Sequence, residues 1–451
     1  MDLSLGRVSR RRFISTVAAI SSFSALSAVT AGCSAGSPSA TSSKAGWSIP
    51  STDPTATISV LSILDLGPSH MQAVVDAFAK AHPTIKVKFD TVPFDSLAST
   101  IDARVANKDG SPDVYWADQP RISALAARGE AEDLTSAFSS YKSAFDPTAY
   151  DAGVYKDKLW GLPIANSTQL LFYNRDLLKK AGLPDPSASV DQRMTWEQLA
   201  SNAKKAKDAG AQYGMLFGQF DRYYQLEPLP VQLGGSVGAS GNGNLTPDFT
   251  SDAWIKAFTW YGSIFASGAA PRGVTAEQTD PAFLAGSAAY TVSGPWLLPE
   301  LQAGGKVDWG VAPQPVFEGG KAATSTGSWS LAMNPFSQQK EAAAIFIKWM
   351  AYDDGGGYIK YRSDPELAAS TEGKKIYFAK DVFSSAEGQK AAKIINYETS
   401  NTAVNRVSTI GYIEFETIMN QAFADIRNGA DAKTTLGKAD TQLKTAWQKY
   451  Q

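Results

Sequence analysis

An α/β fold of two lobes is what this sequence predicts. Three observations predict it: the length of the chain, a strand–helix–strand order near its start, and the recurrence of that alternation further along. The chain has 451 residues, and 419 of them follow the cleavage point argued below, enough for two domains of ordinary size and a large core. The run Thr57-Ile58-Ser59-Val60-Leu61-Ser62-Ile63-Leu64 is apolar, of strand length and rich in β-branched residues. Met71, Val74, Val75 and Phe78 then fall at i, i+3, i+4 and i+7, one face of a helix that must stop before Pro83. Ile85-Lys86-Val87-Lys88-Phe89 alternates apolar and polar, as a strand with one wet face does. That order implies a right-handed parallel crossover.

The alternation continues through Asp113-Val114-Tyr115-Trp116, a short strand ending in a loop, and a helix from Ile122 to Arg128 that closes at Gly129. Leu170-Leu171-Phe172-Tyr173 reads as a buried strand leading into a short helix from Asn174, stopped by Gly182 and Pro184. Thr195 is placed as the N-cap of a helix beginning Trp196-Glu197-Gln198-Leu199. The glycine-rich stretch Gly234 to Gly243 is expected to be a long turn region. No fixed-period repeat or heptad pattern is present.

Ser9-Arg10-Arg11-Arg12-Phe13-Ile14 has the form of a twin-arginine export signal, followed by a weakly apolar stretch from Ile14 to Ala31. An uncleaved anchor needs about 20 predominantly apolar residues, and this run is broken by seven Ser and Thr residues from Ser15 to Thr30. Val29-Thr30-Ala31-Gly32-Cys33 resembles the bacterial lipobox, where cleavage precedes the cysteine and its thiol is acylated. Residues 1–32 therefore read as a signal peptide and Cys33 as the lipidation site. Residues 33–56, dominated by Ser, Thr, Ala, Gly and Pro, read as a flexible tether. Cys33 is the only cysteine, which excludes an intramolecular disulfide, a cysteine metal cluster and a catalytic thiol.

Lys and Arg number 42 against 44 Asp and Glu, so no charge excess is available to hold nucleic acid. Gly234-Gly235-Ser236-Val237-Gly238 matches the nucleophile-elbow pattern, but that fold needs a histidine later in the chain, and the only two are His70 and His82. The loop is glycine-rich and no more. Two separated histidines and no second cysteine also argue against a His/Cys metal site, and no cofactor is expected.

Several segments, in order, resemble one family. Asp157-Lys158-Leu159-Trp160-Gly161-Leu162-Pro163 followed by Leu171-Phe172-Tyr173-Asn174-Arg175-Asp176-Leu177-Leu178 is similar to the "G-x-P … YN-x-D-L-L" region of the maltose-binding-protein-like family 1 of extracellular solute-binding proteins. Further matches are Thr195 to Leu199, Ala282 to Tyr290 with Ser293-Gly294-Pro295-Trp296, and Ala342 to Met350. The resemblance runs from about residue 57 to the C-terminus. It implies a type II periplasmic-binding-protein-like fold, in which crossing strands join the lobes around a ligand cleft that closes by a hinge. It further implies capture of a sugar or oligosaccharide for the permease subunits of an ABC importer, by a monomer held at the outer face of the membrane through its lipid. By the same resemblance the lobes comprise residues 57–165 with 328–376, and 166–327 with 377–451. A secreted glycan-active hydrolase on an α/β scaffold is the alternative, and it would need an acid pair astride the cleft.

Trp116 ends a strand next to Asp118, Gln119 and Arg121. An indole for the apolar face of a sugar beside a carboxylate for its hydroxyl rim is the minimum such a ligand needs, and open α/β sheets bind at strand ends. Trp296 matches the family's cleft-facing tryptophan, although a core position explains a tryptophan equally well. Trp329, after Gly327-Ser328, stands at an inferred lobe crossing. Asn166 and Ser167, with Gln169, occupy the first crossing, where related sugar binders often carry a carboxylate. Tyr223 or Tyr224 supplies a further ring, Tyr224 being the candidate. Tyr412 and Glu414 lie near the segment that closes family pockets, and a solvated helix start accounts for them equally well. Asp65, just past the first strand, completes the set.

Overall fold

The computed structural model describes residues 47–67, 71–304, 306–364 and 366–451. The signal sequence, Cys33, the first part of the tether and His70 lie outside the described residues. Strand β1 (Ala56–Ser62) runs parallel to β2 (Ile85–Thr91) on one side and to β3 (Val114–Asp118) on the other. Helix α1 (Gln72–Ala81) makes the first crossover and buries Val74 and Phe78, the latter edge-on to Phe346 and Trp349 at 5.0 and 5.3 Å. Helix α2 (Phe94–Val105) buries Leu97, Ile101 and Val105 at the i, i+4, i+8 spacing of one face. Two later strands complete the sheet: Trp329–Met333 pairs antiparallel with β3, and Leu162–Pro163 pairs antiparallel with Trp329–Met333 on its outer side. A segment more than two hundred residues downstream of β3 thus returns to the first lobe.

The second lobe is built on a four-stranded sheet in the order Trp309–Pro313, Leu170–Asn174, Ala288–Ser293, Tyr213–Phe217. Its helix Trp196–Asp208 starts in a full capping box, with Thr195 accepting from the Gln198 amide and the Gln198 side chain accepting from the Thr195 amide. Aromatic rings fill this lobe. Trp196 meets Trp260 at 5.1 Å, and Phe258 stacks on Phe423 at 4.6 Å with 8° between planes.

Short paired segments join the lobes. Ala165–Asn166 pairs with Leu367–Ala368, and Thr324–Thr326 lies parallel to Ala403–Asn405. The Asn166 side-chain carbonyl accepts from the Ser167 amide at 2.9 Å, the Thr326 hydroxyl at 2.8 Å and the Gly327 amide at 3.1 Å, tying the first crossing to the second. Among the described residues no helix is long and apolar enough to cross a membrane.

Two expectations change. The tether does not run free to residue 56: the Trp47 indole donates to Glu132 at 2.9 Å, Ile49 packs against the core, and the His82 ring lies 2.9 Å from Asp53. Two apolar side chains in a polar stretch suffice to dock it, and composition averaged over the stretch hides them. The stretch Gly234 to Gly243 is not all turn, because Gly238–Ser240 forms a hairpin with Thr246–Asp248. Ser236 is structural there: its hydroxyl donates to the Asp248 carbonyl at 2.7 Å and accepts from the Gly238 amide at 3.1 Å.

Glu227, fully buried at the end of the Tyr223–Leu226 helix, has no hydrogen-bond partner on either carboxylate oxygen among the described residues. Burial pushes its carboxyl well above the ordinary range, opposed by the charge of Arg406. A folded-state value above the unfolded value of ~4.3 means that stability is greatest below that pH and declines as pH rises toward the folded value. Glu227→Gln is therefore expected to raise the melting temperature, by more at pH 8 than at pH 5. Melting curves at both pH values measure this, and an equal or opposite change at pH 8 would show that the carboxylate is compensated.

Candidate functional site

The C-terminal end of β3 delivers Trp116, Ala117 and Asp118 to a cavity of about 280 Å³ between the lobes. Ligand pockets commonly span ~300–1,000 Å³, so the enclosed space lies at the lower end of that range. The first lobe also contributes Phe94 and Trp329, and the second contributes Arg222, Tyr224 and Trp296. Aromatic rings therefore face the cavity from both sides. Trp329 pairs with Asp118 across the sheet and meets Phe94 edge-on at 5.8 Å, while Tyr224 and Trp296 lie 6.4 Å apart.

Polar groups fill the gaps between these rings. Asp118 lines the cavity, but both its oxygens are engaged by the Arg406 guanidinium, one at 2.8 Å. The free aspartate acceptor that the sequence suggests is thus half of a buried ion pair, and its remaining lone pairs are what it can offer a ligand. Arg406 also lies 5.1 Å over the Tyr224 ring, and its Nε is buried without a partner among the described residues. Arg121 pairs with Glu416 of the Tyr412–Arg427 helix, joining the lobes a second time. Glu366 accepts from Ser328 at 2.9 Å, and burial pushes its carboxyl up against the pull of Arg362 and of that hydrogen bond. At the mouth Arg222 lies 4.6 Å over the Phe94 ring and pairs with Asp95 at 3.2 Å and Glu277 at 3.0 Å.

Of the residues singled out in sequence, Trp116, Asp118, Ser167, Tyr224, Trp296 and Trp329 meet at this cavity. Ser167 bonds the Tyr224 hydroxyl at 2.6 Å and donates to the Gly327 carbonyl at 2.5 Å, and burial pushes the Tyr224 phenol up to about 12. Tyr223 points the other way: its hydroxyl donates to the Val237 carbonyl and its ring packs on Phe415 at 4.8 Å.

Five candidates do not line the cavity. Gln119 and Asn166 stand just behind it, where the Gln119 carbonyl accepts from the Ser328 amide at 3.0 Å and Asn166 ties the crossings as described. Tyr412 is fully buried and donates to Glu416 at 3.2 Å, which places it beneath a lining residue. Glu414 points to the C-terminus, accepting from Lys449 and from Tyr450 at 3.1 Å. Asp65 is exposed and accepts from the Gly67 amide at 2.8 Å, a local turn. Arg222, Glu366 and Arg406 were not legible in sequence, since each lies in a loop whose local pattern carries no signal. Among the described residues no group of three or more His, Cys, Asp or Glu side chains is placed to hold a metal.

The comparisons with known proteins agree with this geometry. The model of the bacterial extracellular solute-binding protein family matches residues 65–356. The chain is 27% identical over 305 residues to the galactooligosaccharide-binding protein of Bacillus subtilis, covering 65% of this chain and 68% of that one. It is 25% identical over 350 residues to the maltodextrin-binding protein MdxE of the same organism, covering 74% and 78%. Among solved structures it is similar to an ABC substrate-binding protein of Listeria monocytogenes in complex with cycloalternan, at TM-score 0.76 and 22% identity over 87% of this chain and 99% of that one. The GacH receptor of Streptomyces glaucescens is similar at TM-score 0.72 and 22% identity, over 88% and 98%. At that identity the two structures establish the fold: two lobes about a cleft.

Trp116 and Trp296 differ in burial. Trp116 is fully enclosed, with Phe89 at 6.0 Å and Tyr358 at 6.2 Å, whereas Trp296 keeps an accessible face. Trp116→Ala is expected to cost about 3–5 kcal/mol of stability, as core tryptophan truncations do, and Trp296→Ala much less. Chemical denaturation of both variants measures the difference, and a Trp116→Ala variant as stable as wild type would place that ring outside the core.

Proposed function

The chain belongs to the bacterial extracellular solute-binding proteins, and on that footing we propose that it captures a sugar or oligosaccharide in the inter-lobe cavity for delivery to an ABC importer. The observation that carries the reading is the composition of that cavity. Rings enter from both lobes, and between them stand carboxyl, guanidinium and hydroxyl groups, most already paired with one another. A sugar offers apolar C–H faces to rings and hydroxyls to the edges, so a neutral polyol uses both kinds of surface without separating the ion pairs. The names of the B. subtilis relatives, which bind galactooligosaccharide and maltodextrin, support the same ligand class.

Capture and release without turnover is the activity proposed. The ion pairs Asp118–Arg406 and Arg121–Glu416 bridge the lobes beside the ligand, so hinge closure and ligand contact occur at one place. Cys33 is proposed to carry the lipid that keeps the protein, as a monomer, at the outer face of the membrane near the permease.

A thermal-shift screen with mono- and oligosaccharides tests the ligand class. A ligand bound only by the folded state raises stability by RT ln(1 + [L]/Kd), about 2.7 kcal/mol at a hundredfold excess over Kd. A rise is expected with maltotriose or a galactotriose, and it should shrink at least tenfold in apparent affinity in Trp296→Ala, an aromatic contact commonly being worth ~2 kcal/mol. Failure of every sugar in the panel to move the transition would end the sugar reading. The anchor has its own test. Cys33→Ala is expected to move the protein from the membrane fraction to the soluble fraction, and equal membrane retention would refute lipidation at that thiol.

A further inference from the structure

Among the described residues Trp296 is the one cavity ring whose indole N–H is held by a carboxylate. The Asp280 Oδ2 accepts from Trp296 Nε1 at 3.1 Å and from the Ser293 hydroxyl at 3.3 Å, while its Oδ1 is buried without a partner among the described residues. Asp280 itself does not line the cavity, so it would act on a ligand only through the ring it holds. The local chain leaves that ring little freedom. A Cβ on Gly294 would come within 2.0 Å of the Trp296 ring, and Pro295 fixes the backbone between them. The benzo end of the indole thus lies over Gly294 while its Nε1 edge is held by Asp280.

We propose that Asp280 is a positioning residue that holds the Trp296 indole in its cavity-facing orientation and ties ligand affinity to its own ionisation. The inference rests on the sugar-binding reading for its ligand. An ionised carboxylate makes a charge-assisted bond to an indole N–H, about twice as strong as a neutral one. Protonation at the unpartnered Oδ1 leaves Oδ2 as an ordinary carbonyl acceptor, and the ring is held less firmly.

The surroundings favour protonation within an accessible pH range. Asp280 lies on the helix Ala276–Leu284, which packs against the strands Tyr213–Phe217 and Ala288–Ser293, and neither strand carries a charged residue. Glu300, in the Leu298–Gln302 helix after Trp296, adds a like charge. On the Asp280 helix Glu277 is paired with Arg222, and in the neighbouring loop Asp221 is paired with Arg427 at 3.0 Å. No cation thus pairs with Asp280 among the described residues. Burial, opposed by the bonds from Trp296 and Ser293, pushes its carboxyl up to about 6. Below that pH the carboxyl is protonated and the grip on Trp296 weakens.

The experiment reads the ring and the ligand separately. With ¹⁵N-labelled tryptophan, the Trp296 indole resonance, assigned by its loss in Trp296→Phe, is expected to titrate with a midpoint near 6 in the unliganded protein and to be pH-independent in Asp280→Asn. Calorimetry with whichever of maltotriose and galactotriose binds is expected to show affinity falling roughly fivefold from pH 7.5 to pH 5, the difference between a charge-assisted and a neutral hydrogen bond. Asp280→Asn, which keeps an acceptor oxygen, should show a flat profile, and Asp280→Ala a flat profile with weaker binding at every pH. A Trp296 resonance indifferent to pH, or an Asp280→Asn variant that titrates as wild type does, overturns the proposal whether or not any sugar binds. A titrating resonance in a protein that binds no sugar overturns the ligand reading instead, and with it the link to affinity.

Discussion

One amide side chain ties the crossing segments together. The Asn166 carbonyl accepts from its own neighbour and from two groups of the segment that returns 160 residues later, and together with the Ser167–Gly327 and Thr326–Ser167 bonds it holds the first and second crossings in register. From that register the rest follows. Gly327 and Ser328 are brought against Ser167 and Gln119, the Trp329–Met333 strand enters the first sheet beside β3, and Trp329 comes to face Asp118.

The walls of that cavity are charged yet nearly neutral. Asp118 with Arg406, Glu416 with Arg121, Asp102 with Arg128 and Asp95 with Arg222 each match an acid to a guanidinium. Of these only Asp118–Arg406 is buried, and removing one partner of such a pair strands the other at a cost of about 3–5 kcal/mol, so a charged ligand reaching that depth would have to compete with a partner already in place. A neutral ligand rich in hydroxyls leaves the pairs intact and uses their spare lone pairs and N–H groups. The pairs also orient one another's side chains in advance, which reduces the ordering that binding requires.

Sequence patterns revealed the elements with strong periodicity and clear punctuation. Val74 and Phe78 on one helical face, the alternation in β2, the Thr195 N-cap and the buried strand before Asn174 are all local signals, and each forms as its pattern dictates. The cavity was legible at Trp296, in a family-like segment, and at Trp329, at an inferred lobe crossing, whereas Trp116, expected to end its strand, lies in the middle of β3, which runs on to Asp118. The cavity was not legible where a contact joins distant loops. Arg406 is 288 residues from Asp118, and no spacing rule connects them. Tyr412 and Glu414 show the limit of a helical segment read without its neighbours: Tyr412 turns into the core and Glu414 turns to the C-terminal tail, while the cavity receives Ile413 and Glu416 between and beyond them.

The double pairing of Arg222 bears on how fast the lobes can part. One guanidinium bridges Asp95 of the first lobe and Glu277 of the second while resting on the Phe94 ring. Were the lobes to part here, the contact with Asp95 would break and the one with Glu277 would stay with the arginine, leaving Asp95, already largely exposed, to water. What is given up is one solvent-facing pair, worth ~0.2–1 kcal/mol and screened by salt. Such a contact would add little to a barrier for separation, so any strong hold between the lobes has to come from the buried pair deeper in the cleft, Asp118 with Arg406.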